Sequence, residues 1–243
     1  MRKEPHAFIR SVIALVLITG TLWAAQWQFQ RGIDRHQRNS IIESHISLPA
    51  ASLERALENP EKFEWRTITS SGRFDSESNI LLRNHYFEGK YGFEVLTLFT
   101  PTTGESFWVD RGWVIAGETA LDKPMISPIP SEKVSITGRF RLNTSLPQGT
   151  IFATGSGSDS PLLREINARR QIKNQLFYVD LISGSESSLT PDVPAELPEL
   201  SDGPHMAYAA QWIIFAGLIG YGRFLMRKTD LDENRDLHTN RQR

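Results

Sequence analysis

Uncharged apolar residues are concentrated in two runs, one near each end of the chain. Residues 11–29 carry no charged side chain, and residues 205–222 form a second uncharged run whose apolar character continues past Arg223 to residue 226. A helix rises about 1.5 Å per residue, so roughly 20 such residues cross the hydrocarbon core of a bilayer. The pattern therefore predicts two transmembrane helices, at residues 11–29 and 205–226.

Each run has a competing interpretation. Residues 11–29 are also compatible with a cleaved signal peptide, but cleavage after Ala25 would put Trp23 at a position that requires a small residue. Residues 205–226 also fit a buried helix of a soluble protein. The flanking Arg227 and Lys228 favour a membrane helix, because cations collect at the membrane interface.

Charge at the flanks predicts the orientation of these helices. Residues 1–10 carry three cations and one acidic residue, and residues 223–243 carry six cations against four acidic residues. Positively charged flanks stay in the cytoplasm. We therefore expect residues 1–10 and 227–243 to be cytoplasmic and residues 30–204 to form a periplasmic domain at a bacterial inner (plasma) membrane. The mitochondrial intermembrane space is less favoured, because no Arg- and Ser-rich transit segment precedes the first run.

The central residues, 30–204, are predicted to form one β-rich domain. Two short helices are expected, at residues 53–59 after the capping residue Ser52 and at 162–172, and residues 191–204 form a Pro-rich linker. The expected fold is a membrane-anchored α+β protein, with an antiparallel sheet or partly closed barrel between two transmembrane helices. Runs rich in β-branched and aromatic residues predict strands at 64–74, 80–87, 91–100, 106–115, 133–141 and 175–183.

Composition excludes several classes of function. The chain has 243 residues, a net charge of −1 and no cysteine. Cysteine-based metal sites and thiol redox chemistry are therefore excluded, and the charge indicates no nucleic-acid partner. The sequence also lacks the nucleophile elbow, the paired zinc-binding histidines and the phosphate-binding loop that mark common enzymes. We therefore do not expect an enzyme.

Two constellations of residues are candidate functional sites. In the first, Arg111 and Gly112 lie between Asp110 and Trp113 at the end of an apolar strand. Arginine there favours a bidentate carboxylate contact or stacking on an aromatic ring, and glycine favours a bulge or close backbone approach. A salt bridge internal to the domain and a partner-binding role fit this motif equally well.

In the second constellation, His205, Tyr208 and Trp212 have the spacing i, i+3, i+7 and share one side of the second predicted transmembrane helix. An ionisable residue at the end of a membrane span is a candidate functional residue. Imidazole is a good axial ligand for haem iron, and a neighbouring aromatic ring packs on a porphyrin. A plain interfacial histidine beside an aromatic belt is the alternative.

Small residues on the two predicted spans indicate how the spans pack. Gly20 and Ala24 form a small-xxx-small pair in the first span, and Ala216 and Gly220 form another in the second. Small residues at this spacing let helix backbones approach closely in lipid. We expect these faces to pack on each other or on a client helix.

Several short motifs, in order along the chain, resemble those of the surfeit locus protein 1 family, which assists cytochrome c oxidase assembly. Asp110 stands where that family usually has Asn, and Ile115 stands where Pro often follows. The motifs are Trp27-Gln28 with Arg31, Gly72-Arg73-Phe74, Asp110-Arg111-Gly112-Trp113-Val114, Val134-Ser135-Ile136-Thr137-Gly138, and a final His205-x-x-Tyr208-Ala209-x-x-Trp212.

The resemblance implies an assembly factor that acts with the haem-bearing subunit of a haem-copper oxidase, and with a haem a synthesis enzyme as a further candidate partner. It implies transient binding of haem a, with His205 as the iron ligand. The second ligand is unassigned: His45 and His85 are candidates by residue type alone, and a client residue or water fits equally well. Three alternatives remain open: a scaffold that binds the oxidase subunit without haem, a membrane-anchored enzyme, and a sensor or division-type anchor.

Overall fold

A computed structural model describes residues 6–117, 124–142 and 177–240. The chain divides into two compact units: residues up to Ile41 together with residues from Glu199 onward form the helical unit, and Ile42–Pro198 form the barrel unit. The predicted helix at 162–172 lies outside the described residues. The helices are α1 (Ala7–Ser47), α2 (Leu53–Glu58), α3 (Pro60–Phe63) and α4 (His205–Asn240), and the strands are β1 (Ala51–Ser52), β2 (Thr67–Phe87), β3 (Lys90–Pro101), β4 (Phe107–Ile115), β5 (Val134–Leu142) and β6 (Phe177–Gly184).

The helical unit is an antiparallel pair formed by α1 and α4. Arg10 near the start of α1 pairs with Asp230 near the end of α4 at 2.9 Å, while Gln28 farther along α1 meets His205 at the start of α4. Both helices are long and apolar enough to cross a membrane. The predicted spans therefore lie within longer helices, and α1 runs well past residue 29 to Ser47.

The contact face of α1 has the spacing of a coiled coil, with positions that recur alternately every four and three residues. Most large apolar side chains point away from this seam, as the exposed Leu15 and Trp23 do. Apolar side chains that face outward in this way are compatible with helices that are surrounded by lipid. The partly or fully buried seam positions of α1 are Ala14, Ile18, Thr21, Ala25, Gln28, Gly32, Arg35 and Asn39.

The prediction that small residues pack the two spans together holds for the pair on α4 and fails for Gly20 on α1. Ala216 is buried, and a side chain added at Gly220 would contact the Ile18 side chain at 3.9 Å. Gly20, in contrast, is exposed and has nothing within 4 Å of its Cβ position. The packed side of α1 uses Thr21, Ala25 and Gly32 instead, because the seam follows the 3.5-residue repeat rather than the four-residue spacing of Gly20 and Ala24.

The barrel unit is a closed five-stranded barrel. Strand β2 pairs with β3, β3 with β4, β4 with β6, β6 with β5, and β5 returns to β2. All of these pairs are antiparallel except β4 with β6, and β1 adds to β2 in parallel. This Greek-key order, with its third and fifth barrel strands parallel, is the arrangement of the OB fold. Of the two forms expected, an antiparallel sheet or a partly closed barrel, the structure has a barrel, and this barrel is closed and contains one parallel pair.

The barrel interior is filled by aromatic and branched apolar side chains. Four phenylalanines, Phe99, Phe107, Phe177 and Phe140, contact in sequence across β3, β4, β6 and β5 with ring centroids 4.8–5.4 Å apart. Leu53 and Ala56 of α2 belong to the same cluster. Ser52 caps α2 as predicted, and Pro60 ends that helix but also begins α3.

One strand replaces two of the predicted ones. The segment expected at 80–87 and residues 67–74 of the segment expected at 64–74 both lie in β2, whereas residues 64–66 precede the strand. An irregularity between Asp75 and Asn79 interrupts the pairing of β2 with β3. The hydroxyl of Ser78 donates a hydrogen bond to the Asp75 carboxylate there. The polar residues between the two predicted strands indicated that the strand ends there. In the structure β2 pairs with β3 on both sides of these residues, so β2 is a single strand with a bulge.

Candidate functional site

His205 is the first residue of α4, and a side chain of α1 holds its ring. The imidazole Nδ1 lies 2.9 Å from the Gln28 Oε1 atom. A carbonyl oxygen accepts and does not donate, so Nδ1 carries the proton in this contact and Nε2 keeps its lone pair. Among the described residues, Gln28 is the hydrogen-bond partner of this ring, which leaves Nε2 available to a ligand.

The helices approach closely at this position because α1 has a glycine there. A Cβ added at Gly32 would lie 3.3 Å from Met206 Sδ and 3.5 Å from His205 Cβ. Gly32 is buried, one turn of helix after Gln28. The absence of a side chain therefore places the His205 ring within reach of Gln28.

The residues that lead into α4 are fixed to α1 by polar contacts. Arg35 Nε and Asn39 Nδ2 both donate to the Ser201 carbonyl oxygen, at 2.6 and 3.1 Å, and His36 Nδ1 lies 2.9 Å from an Asp202 carboxylate oxygen. These bonds set the position at which α4 begins and hence the height of His205 along α1. Sequence reasoning missed them, because each joins residues more than 160 positions apart in the chain.

The other predicted residues of this helical site are arranged around the seam. Trp212 lies on the α1-facing side with His205 and contacts Phe215 edge-on, whereas Tyr208 lies to one side and is 46% exposed. Trp27 is about half exposed, and the Arg31 guanidinium stacks over its ring at 5.0 Å from the centroid. The structure therefore brings Gln28 to His205 and leaves Tyr208 and Trp27 with apolar surface exposed.

The two further histidines considered as iron ligands belong to the barrel unit. His45 Nδ1 lies 2.7 Å from the Glu64 carbonyl oxygen, and His85 Nδ1 lies 3.3 Å from a Glu94 carboxylate oxygen. Both rings thus already have protein partners. Among the described residues, no group of three or more His, Asp or Glu side chains is arranged to hold a metal ion.

The first constellation, around Arg111 in the barrel unit, forms a bulge in β4. The pairing of β3 with β4 shifts so that Leu96 faces Asp110 while Glu94 faces Trp113. Gly112 has a φ of +87°, and a Cβ there would lie 2.2 Å from the Val193 carbonyl oxygen. The predicted bulge and close backbone approach at glycine are confirmed.

The arginine in this motif makes a different contact from those expected. Arg111 Nη2 donates to the Ser127 carbonyl oxygen at 2.7 Å, and in the described part of the chain it meets neither a carboxylate nor an aromatic ring. Partial burial lowers the pKa of Arg111 below its usual value. Trp113 Nε1 donates to the His85 carbonyl oxygen at 3.2 Å, so both side chains anchor the bulge to the surrounding backbone.

Gly72, from the Gly-Arg-Phe motif, also has a local structural role. A Cβ there would lie 2.2 Å from the Thr100 carbonyl oxygen and 2.7 Å from Pro101 Cα. Gly72 pairs with Pro101 of β3 and with Val134 of β5, where β2 closes the barrel. This contact explains the glycine without a ligand.

A cluster of buried charges lies beside the bulge. Asp180 Oδ2 lies 2.9 Å from Arg141 Nη1 and 3.5 Å from Arg139 Nε. The Arg141 guanidinium also stacks on Trp65, 3.6 Å from the ring centroid, and Arg139 donates to the Ala195 carbonyl oxygen. The residues predicted as a Pro-rich linker therefore begin as a segment packed on the barrel.

Two buried carboxyl groups in this region have different surroundings. Asp110 accepts a 2.8 Å hydrogen bond from the Gly112 backbone N–H, while Asp180 has two arginines. Burial, aided by the charges of Glu94 and Asp180, raises the pKa of Asp110 well above its usual value. Burial also raises the pKa of Asp180, and Arg141 and Arg139 oppose that shift.

Comparison with known proteins identifies the family. A family model described as the SURF1 family matches residues 15–217, which include both His205 with Gln28 and the bulge of β4. The chain belongs to the SURF1 family. Members of this family are known as cytochrome oxidase assembly factors, and not as enzymes.

Similar proteins carry the same family designation. An uncharacterized SURF1-like protein of Mycobacterium bovis is 29% identical over 227 residues, which covers 87% of this chain and 82% of that protein. Two uncharacterized SURF1-like proteins of Mycobacterium tuberculosis strains match to the same extent. The similarity therefore extends over the helical unit and the barrel unit of this SURF1-family protein.

Proposed function

We propose that this SURF1-family protein helps deliver haem a to, or mature, the haem-bearing subunit of a haem-copper oxidase, and that His205 provides a ligand to the haem iron. The observation that carries the proposal is the contact of His205 Nδ1 with Gln28 Oε1. Metal-binding histidines characteristically donate their other ring N–H to an oxygen, which fixes the tautomer and the ring orientation. Gln28 meets that requirement for His205.

The residues around His205 fit a haem. Haem, when bound, supplies an iron that accepts an imidazole lone pair, and Nε2 of His205 is the atom with that lone pair. Tyr208, with its half-exposed ring, and Trp212, on the same side of α4 as His205, offer aromatic surface next to it. A single protein ligand with exposed surroundings suits cargo that must be released to the oxidase subunit.

The proposal includes a location. The two apolar helices support membrane anchoring, and the charge of the flanks supports cytoplasmic termini with the barrel unit in the periplasm. A reporter that requires export should be active when it is fused within residues 64–115, and a reporter that requires the cytoplasm should be inactive there. Activity of a cytoplasm-dependent reporter at those positions would contradict this orientation.

The haem assignment is tested by spectra of the purified full chain produced in a host that makes haem a. His205→Ala should lose or shift the haem absorbance, and Gln28→Ala should weaken haem binding about 10- to 100-fold, because it removes the group that orients the ring. Gln30→Ala is the matched control for Gln28→Ala, since Gln30 lies on the exposed side of α1 and donates a hydrogen bond to Asp34 of the same helix at 3.1 Å. Its haem content should be unchanged.

The same spectra decide between haem delivery and the scaffold function. Equal haem content in wild type and His205→Ala would eliminate His205 as the ligand. If neither carried haem while oxidase subunits still co-purified with both, the scaffold function would replace haem delivery.

A further inference from the structure

A cleft between α1 and α4 lies at the opposite end of the helical unit from His205. It has a volume of about 840 Å³. It lies where the chain enters α1 and where α4 leaves the predicted span, which is the end expected to face the cytoplasm. Its lining residues are Arg10, Ile13, Ala14 and Leu17 from α1, and Leu218, Ile219, Gly222, Arg223, Leu225, Met226, Thr229 and Asp230 from α4.

The polarity of the cleft changes along the helix axis. The part toward the middle of the predicted spans is aliphatic, formed by Leu17, Leu218 and Ile219. The part toward the helix ends contains Arg10, Arg223 and Asp230. Two cations against one carboxylate give this end an excess positive charge, and Arg227 and Lys228 follow on the next turn of α4.

The Arg223 side chain extends toward the polar end. Its Nη2 donates to Ser11 Oγ at 3.0 Å and to the Ala7 carbonyl oxygen at 3.3 Å, and its Nε donates to Ser11 Oγ at 3.3 Å. Ser11 and Ala7 lie at the start of α1, so the guanidinium is carried to the level of Arg10, whose Nη1 lies 2.9 Å from Asp230 Oδ2. The two arginines thus hold positive charge at the mouth of an aliphatic cleft.

We propose that this cleft binds an anionic phospholipid, with an acyl chain along Leu17, Leu218 and Ile219 and the phosphate beside Arg10 and Arg223. Basic pockets between transmembrane helices on the cytoplasmic side are suited to acidic lipid headgroups. Asp230 opposes the phosphate, and its pairing with Arg10 keeps the net charge of the site small enough to favour a lipid over a more highly charged ligand. A client helix would fill the aliphatic part without any need for the cations. The lipid site is independent of haem binding by His205.

The test uses the full chain reconstituted in phosphatidylcholine bilayers with and without phosphatidylglycerol, and measures the lipid retained by native mass spectrometry. The wild type should retain phosphatidylglycerol selectively. Arg223→Gln should retain about tenfold less, because it removes a charge-assisted contact to the phosphate. Arg227→Gln is the matched control, since it removes one cation of the same helix that does not line the cleft, and retention should be unchanged.

A second variant separates the cleft from general attraction of cations to the bilayer. Ile13→Trp narrows the aliphatic part without changing any charge, and lipid retention should also fall. Circular dichroism establishes that both variants keep their helices. Equal losses in Arg223→Gln and Arg227→Gln, or full retention by Ile13→Trp, would overturn the proposal. So would a photo-crosslinker at Leu218 that captures a protein helix and no lipid.

Discussion

The helical unit and the barrel unit place polar and apolar side chains in opposite ways. The barrel closes around Phe99, Phe107 and Phe140, and the buried carboxylate of Asp180 on β6 pairs with arginines of β5. The α1–α4 pair directs Leu15 and Trp23 outward and uses Ala25, Gly32 and polar side chains at its seam. A barrel in water gains from burying large apolar groups, whereas helices in lipid gain only from close packing and hydrogen bonds.

A polar group in the interior therefore has a different significance in each unit. In the barrel, Asp180 is compensated by Arg139 and Arg141, and the cluster is part of what holds the strands and the following segment together. At the helical seam, Gln28 is partly buried beside a histidine whose second nitrogen has no protein partner among the described residues. The first arrangement is closed, and the second leaves a position for a ligand.

The largest effect is expected when the closed cluster is opened. Asp180→Asn leaves Arg139 and Arg141 buried without a carboxylate and should lower the free energy of unfolding by about 3–5 kcal/mol. Urea unfolding of the purified chain in detergent, followed by tryptophan fluorescence, measures the change. If the free energy of unfolding fell by less than about 1 kcal/mol, solvent would already screen the cluster. The barrel would then not hold its buried charges as the comparison of the two units requires.

A smaller effect is expected at the bulge of β4. Gly112→Ala adds a Cβ against the Val193 carbonyl oxygen at positive φ and should cost about 2–4 kcal/mol. Gly89→Ala is the matched control, because Gly89 has a φ of +76° and nothing within 4 Å of its Cβ position. It should cost only about 1 kcal/mol, the conformational part alone. Equal costs would show that residue 193 does not press on the bulge.

The helical unit is tested by a pair of matched glycines. Gly32→Leu should weaken packing of α1 on α4 by about 1–3 kcal/mol, because its side chain meets Met206 and His205. Gly20→Leu should have no effect, since that position is open. The chain has no cysteine, so Ile18→Cys with Gly220→Cys reports packing through disulfide formation. Equal crosslinking in all three backgrounds would contradict the observed seam.

The smallest effect concerns the other buried carboxyl group. Because the folded-state pKa of Asp110 is raised, its contribution to stability is fully present below the unfolded pKa of about 4 and is lost as the pH rises through the folded pKa. Asp110→Asn removes this loss, so the variant should be more stable than wild type at neutral pH. The difference should vanish as the pH approaches 4. The test is to measure the unfolding midpoints of both proteins between pH 4 and neutral pH. A stability difference that does not change with pH would contradict the raised pKa of Asp110.

Much of the fold could be predicted from local patterns. Alternating and β-branched residues located all the described barrel strands, and Ser52 with Pro60 located α2. The closure of the barrel could not be predicted, because the pairing of β2 with β5 joins strands that are far apart in the chain. Likewise the motif around Arg111 indicated a bulge, while its contact with the Ser127 carbonyl depends on a loop whose path is set by the rest of the unit.

Sequence patterns alone predict the two apolar runs, the β-rich centre, the special position of Gly112 and the family motifs that include Gln28 and His205. Those features are local, since periodicity and backbone preference act over a few residues. Three pairings become visible only in the folded chain. Gln28 contacts His205, Asp180 has two arginines while Asp110 has a backbone N–H, and Arg10 and Arg223 line the same cleft. Such pairings join segments that come together only on folding, because the strength of a hydrogen bond or an ion pair depends on the separation of its atoms in space. That separation does not follow from the distance between two residues along the chain.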